Sequence, residues 1–214
     1  MSRQRTVIDP EHSGASYWKD LWAYRGLFRF LAWRDLLVRY KQTVIGVAWA
    51  VIRPLLTIVV FSFFASLMNK GVENPLPLIL LVTAATLPMQ LFSAALNDAS
   101  NSLIANSNLI TKVYFPRLIV PLSTVIVCLI DFLIAFVILI ALMVYYGKFP
   151  GSNVIFLPLF LLLALFASMG AGVFLSALNV KYRDFRYVVP FVVQLSLYVS
   201  PVAFSSAQLY ANPD

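Results

Sequence analysis

At 214 residues, 61% apolar, 12% charged and with a mean hydropathy of +0.84, the chain is too greasy for one or two soluble domains. Its net charge of +7 does not point to nucleic acid, because the cations bracket long apolar runs instead of lining a polar surface. One histidine (His12) in a polar tail excludes a histidine metal site or a Ser–His–Asp triad, and one cysteine (Cys128) excludes an internal disulfide.

Residues 1–16 are polar and lack the apolar core of a signal peptide. From Tyr17 the chain reads YWKDLWAYRGLFRFLAWRDLLVRYKQ, in which aromatics and arginines intermingle. Phe30, Trp33, Leu37 and Tyr40 fall on one helical stripe, and Asp35 precedes Arg39 at the favourable i,i+4 spacing. Region 17–43 is therefore expected to form an amphipathic helix at the membrane surface, with aromatics at headgroup depth. Its basic face either sets topology alone or also docks a soluble partner.

Five runs then reach the roughly 20 apolar residues that a hydrocarbon core requires: 44–68, 77–97, 118–146, 154–178 and 187–206. They predict an all-α polytopic membrane protein whose transmembrane domain covers 44–206, with 207–214 an external segment. The first run carries Arg53-Pro54, and the third carries Asp131, the sole acid in these runs. At about 1.5 Å per residue an arginine side chain bridges the depths of Arg53 and Asp131, so an Arg53–Asp131 intramembrane pair is one expectation, the other being that backbone, water or nearby polar groups satisfy each separately. Thirteen of the 16 cations precede the first run, follow the second or follow the fourth, while Lys70 and Lys148 alone lie in the opposite loops. That asymmetry places the N-terminus in the cytoplasm.

Two connections on the basic side carry more than linker chemistry. DASNSLIANSNLITKVYFPR (98–117) alternates Asn and Ser with apolar residues suited to a short helix. NVKYRDFRY (179–187) concentrates Lys181, Arg183, Asp184 and Arg186 between two apolar runs. No Gly-rich phosphate loop is present, and the scattered acids form no catalytic pair or proton path. The chain is expected to be a transporter component powered from outside, not an enzyme, with no metal and no cofactor of its own.

Three blocks, RYKQTVIGVAWAVIRPLL (39–56), NSNLITKVYFPRLIVPL (106–122) and LNVKYRDFRYVVPFVVQLSLYVSPV (178–202), resemble the membrane subunit of polysaccharide-exporting ABC-2 transporters, the group that exports O-antigen, teichoic acid and capsular glycan. The resemblance spans about 17–205. It implies a homodimer in the bacterial inner membrane, two copies of a cytoplasmic ATPase that binds ATP and Mg, contact with membrane lipids, and a polyprenyl-diphosphate-linked glycan as cargo. An ABC-2 exporter of a drug or lipid, or a glycan-assembly protein without nucleotide coupling, is the alternative. The family's coupling helix maps onto Ser102–Thr111, with Ser102, Leu103, Asn106, Asn108, Leu109 and Ile110 as ATPase contacts, and its second contact maps onto Lys181, Arg183 and Asp184. Aromatic faces that could stack on sugars are Trp49, Phe61, Phe64, Phe191 and Tyr198. Two departures stand out: Leu87-Pro88-Met89-Gln90 replaces a Leu-Pro-Trp-like sequence, and the family's sixth span is missing, as expected of a fragment.

Overall fold

A computed structural model describes residues 14–41, 48–68, 77–148, 151–182 and 184–199. Within them the chain is helical: α1 (Gly14–Ala23), α2 (Arg25–Lys41), α3 (Ala48–Met68), α4 (Leu78–Ala105), α5 (Ser107–Lys112), α6 (Ile119–Tyr145), α7 (Leu157–Lys181, preceded by a 3-10 turn at Ser152–Phe156) and α8 (Phe185–Val199). No strand occurs among the described residues. By length and composition α4, α6 and α7 can each cross a bilayer. The expected first span (44–68) overlaps α3 and the expected fifth (187–206) overlaps α8, both apolar helices, with the start of the first and the end of the fifth outside the described residues. Arg183, the segment 42–47 and the end from 200 onward lie outside the described residues.

The bundle is organised around α4, which packs against α3, α6, α7 and α8. Small residues make that possible. Ala95 and Ala99 of α4 are fully buried, as are Ser168, Gly172 and Ser176 of α7. A Cβ on Gly172 would come within 2.6 Å of the Ala99 Cβ, so the two backbones approach as closely as this seam allows. Asn179, with no exposed surface, pins the same seam: its amide donates to the Ser100 carbonyl at 3.2 Å and to Asn101 Oδ1 at 3.1 Å. Leu80, Leu87 and Leu91 of α4 join Ala95 and Ala99 and meet Val125, Phe132, Ala135 and Leu139 of α6 in a continuous apolar core.

Helix α4 does not end with the apolar run at 97. Helix α4 continues to Ala105, so residues 98–105 are helix and not loop. The Asn and Ser residues there leave few free hydrogen-bonding groups: the Ser100 and Ser102 hydroxyls donate to Asn97 and Ala99 carbonyls, and Asn101 donates to the Asn97 carbonyl. Burial against α7 then outweighs their weak helix propensity. At about 1.5 Å per residue, 28 residues span about 42 Å, more than a hydrocarbon core of about 30 Å. The C-terminal turns of α4 therefore project beyond the core.

Helix α6 stops in a Schellman motif. Gly147 adopts φ +62, its N–H bonds Val144 at 3.1 Å, and the Lys148 N–H bonds Met143 at 3.0 Å. At the opposite end, α2 packs along α6. Leu31 is buried with Phe115, Ile119 and Val120 at the start of α6. Eight residues later Arg39 reaches Asp131, so α2 climbs α6 over about 12 Å of its own length. Phe30 and Trp33 face outward, whereas Tyr40 of the same expected stripe turns inward to Asp131.

Candidate functional site

Two features hold part of the predicted functional residues: a polar cluster under the end of α2, and a groove between α5 and the α7–α8 turn.

The cluster centres on Arg39. Its Nη1 donates to Asp131 Oδ2 at 2.5 Å and its Nη2 to Asp98 Oδ2 at 2.5 Å, joining α2 to α6 and α4. The Tyr40 hydroxyl donates to the other Asp131 oxygen, and the Cys128 thiol donates to Asp98 Oδ2 at 3.3 Å. Burial works against the Arg39 charge, but the two carboxylates outweigh it and hold the guanidinium more firmly protonated than usual. Burial, reinforced by the bond to Asp131, pushes the Tyr40 hydroxyl well above the ordinary tyrosine range.

These contacts correct two expectations. Asp131 pairs with Arg39 and not with Arg53, because α2 ascends to its level and fills both carboxylate oxygens first. Arg53 instead lies 6.0 Å from the Trp49 ring centroid. Nor does Asp35 pair with Arg39: its partner is the adjacent Arg34, at 2.6 Å. The Arg34 guanidinium also reaches Asn106 Oδ1 at 2.6 Å. The Arg39–Asp131 bond escaped the sequence because Arg39 counted as a topological cation before the first span. The usable signal was Asp131 itself, an acid in an apolar run that required a cation from somewhere.

Around the groove, the chain uses much of the predicted contact surface internally. Ser102 is 2% exposed. Leu103, Leu109 and Ile110 pack against the Leu31–Phe115 cluster, and Asn106 is held by Arg34 while donating to the Ser102 carbonyl at 3.0 Å. Asn108 is exposed, with Ser107 and Thr111 beside it. Lys181 is exposed and lies 5.1 Å from the Tyr182 ring. The Asp184 carbonyl accepts the Tyr187 and Val188 N–H groups, as at a helix N-cap, and its side chain is exposed. The segments 102–111 and 179–187, about 70 residues apart, thus wall one open groove of about 870 Å³, bordered by Leu103, Ile110, Arg117, Asn179 and Arg186.

The aromatic candidates do not converge within one chain. Trp49 lines a cavity beneath the end of α2, whereas Phe64 on α3 and Phe191 on α8 face outward from the two helices that flank α4. Phe61 is half-buried, and the Tyr198 side chain lies outside the described residues. Among the described residues no cluster of His, Cys, Asp and Glu could hold a metal ion.

Comparison with known proteins agrees with this architecture. The family model of the ABC-2 type transporter matches residues 26–212. A protein named O-antigen export system permease protein RfbA from Myxococcus xanthus is 28% identical over 187 residues, covering 87% of this chain and 71% of its own length. Another of the same name, from Klebsiella pneumoniae, is 30% identical over 174 residues, covering 81% of this chain and 66% of its own. An all-α chain with three bilayer-length apolar helices, matched over most of its length, is a multi-pass membrane protein and belongs to the ABC-2 type transporter family.

Proposed function

We propose that this chain is the membrane subunit of an ATP-driven exporter of lipid-linked polysaccharide, of the O-antigen class. It lies in the bacterial inner membrane with its N-terminus in the cytoplasm. Two copies form the path, and each binds one copy of a separate ATPase that carries ATP and Mg. The observation that carries this reading is the groove: two segments remote in sequence meet at one end of the bundle, with Arg117 and Arg186 on its border. A soluble motor needs such a composite surface, because a push on α5 then passes into α4 and a push on the α7–α8 turn into α7 and α8. The names of the relatives support the cargo class.

Co-expression of the tagged protein with a cytoplasmic ABC ATPase subunit from the same genome tests the reading. Asn108→Trp and Asp184→Ala, both on exposed positions, should lower ATPase retention about tenfold and abolish cell-surface glycan while the membrane subunit still accumulates. If the wild-type protein retains no ATPase and its loss leaves surface glycan unchanged, the reading fails.

A further inference from the structure

The cavity beneath the end of α2 has a volume of about 210 Å³, room for about seven waters at roughly 30 Å³ each. It is walled by α2, α3, α4 and α6, and Leu91 and Phe132 give it an apolar side. Both oxygens of Asp131 are taken, by Arg39 and Tyr40, and Arg39 is shared with Asp98. Two donors remain. Gln90 Nε2 is buried and has no acceptor. The Arg53 guanidinium meets the Trp49 ring and no carboxylate among the described residues.

A guanidinium with no carboxylate, beside a buried amide donor with no acceptor, suits an anionic ligand. Arg53 strengthens that preference, because it is exposed on the flank of an apolar helix one turn beyond Trp49. A guanidinium facing hydrocarbon costs several kcal/mol unless an anion meets it. At the margin of a bilayer the available anion is a lipid phosphate, whose oxygens match the guanidinium fork and whose acyl or prenyl chain suits the apolar side. From these observations we infer that the cavity binds the phosphate group of a membrane lipid, with Arg53 as the binding guanidinium and Gln90 as a second donor. The phosphate belongs either to a bulk anionic phospholipid or to a polyprenyl diphosphate; the second case rests on the exporter reading above.

The test is lipid retention by the full-length protein in nanodiscs, without ATP, read by native mass spectrometry. The probes are phosphatidylglycerol, a short-chain polyprenyl diphosphate, and diacylglycerol as the phosphate-free control. Wild type should retain a phosphate-bearing lipid at least about tenfold over diacylglycerol; Arg53→Gln should remove most of that preference, Gln90→Leu about threefold, and Arg53→Lys should keep a good part of it. Arg34→Gln, away from the cavity, should change nothing. Displacement of phosphatidylglycerol by polyprenyl diphosphate at equal mole fraction assigns the site to the cargo, and the reverse assigns it to bulk lipid. Should Arg53→Gln fail to fold, Gln90→Leu and Arg53→Lys carry the comparison. Retention equal to wild type in the folded Arg53 and Gln90 variants overturns the site. Because the readout uses neither ATPase nor export, that result leaves the exporter reading standing, and a failed export assay leaves the site standing.

Discussion

Arg39 and Asp131 are 92 residues apart in the chain and 2.5 Å apart in space. Their bond fixes the end of α2 against the middle of α6, and the second arm of Arg39 carries the link to Asp98 on α4. An element outside the apolar runs is thereby tied to two of the longest helices in the bundle.

Arg39→Ala leaves two carboxylates facing each other without a cation. With side chains 31% and 36% exposed, solvent screens part of the penalty, and the expected loss is about 1–3 kcal/mol, between surface and buried pairs. Thermal unfolding in detergent measures it. A double-mutant cycle on Arg39 and Asp131 should show coupling above about 0.5 kcal/mol, whereas Arg53 and Asp131 should be additive. The opposite pattern would restore the Arg53–Asp131 pair.

The alkaline limit of stability should respond to Tyr40. Its hydroxyl holds its proton more tightly in the folded chain than the ordinary value of 10.0. A raised folded pKa means that the contribution is complete below pH 10 and is lost as pH rises through and beyond it. Stability measured from pH 7 to 9 should carry the full Tyr40 contribution and show no pH dependence from it. Above pH 10, Tyr40→Phe should fall less steeply than wild type. Parallel curves for the two proteins would contradict the buried bond to Asp131.

Gly172→Ala places a methyl 2.6 Å from the Ala99 methyl position, a distance that forces α4 and α7 apart. The expected cost is about 1–3 kcal/mol, with loss of monodisperse protein on gel filtration. Adding Ala99→Gly should recover most of it, since the new methyl then fills the old one's space. No recovery would mean that the seam is not set by this contact. Gly170, one step from the seam with nothing near its Cβ position, should accept alanine without penalty.

Cys128 is 1% exposed and its thiol points at Asp98. A maleimide should leave it unmodified in the folded protein and label it after denaturation, as mass spectrometry would show. In Arg39→Ala, where the cluster around it loosens, labelling should accelerate about tenfold or more. Rapid labelling of the wild type would place Cys128 elsewhere than between α4 and α6.

Much of the candidate site was legible before any coordinates. The segments 98–117 and 179–187 stood out because they interrupt apolar runs on the basic side, while Asn108, Lys181 and Asp184 as ATPase contacts were what the family resemblance implied. What remained hidden depended on packing. Ser102 looked like a polar loop residue and is a buried helical one, because α7 covers it. Leu103, Leu109 and Ile110 looked free for a partner, yet α1 and α2 fold down onto their cluster. Nothing local in the sequence distinguishes an apolar residue awaiting another chain from one satisfied by its own.

Class and layout followed from the sequence by itself, because the lipid solvent imposes them. Runs of about 20 apolar residues must be helices whose backbone groups bond internally, and the asymmetry of Lys and Arg predicts which ends lie in the cytoplasm. Pairings were decided only by the tertiary structure. Whether Asp131 meets Arg39 or Arg53 depends on how high α2 climbs along α6. Whether 102–111 and 179–187 share a groove depends on how closely Gly172 lets α7 approach α4. Those are consequences of side-chain volume at helix crossings, and a linear order of residues does not contain the crossings.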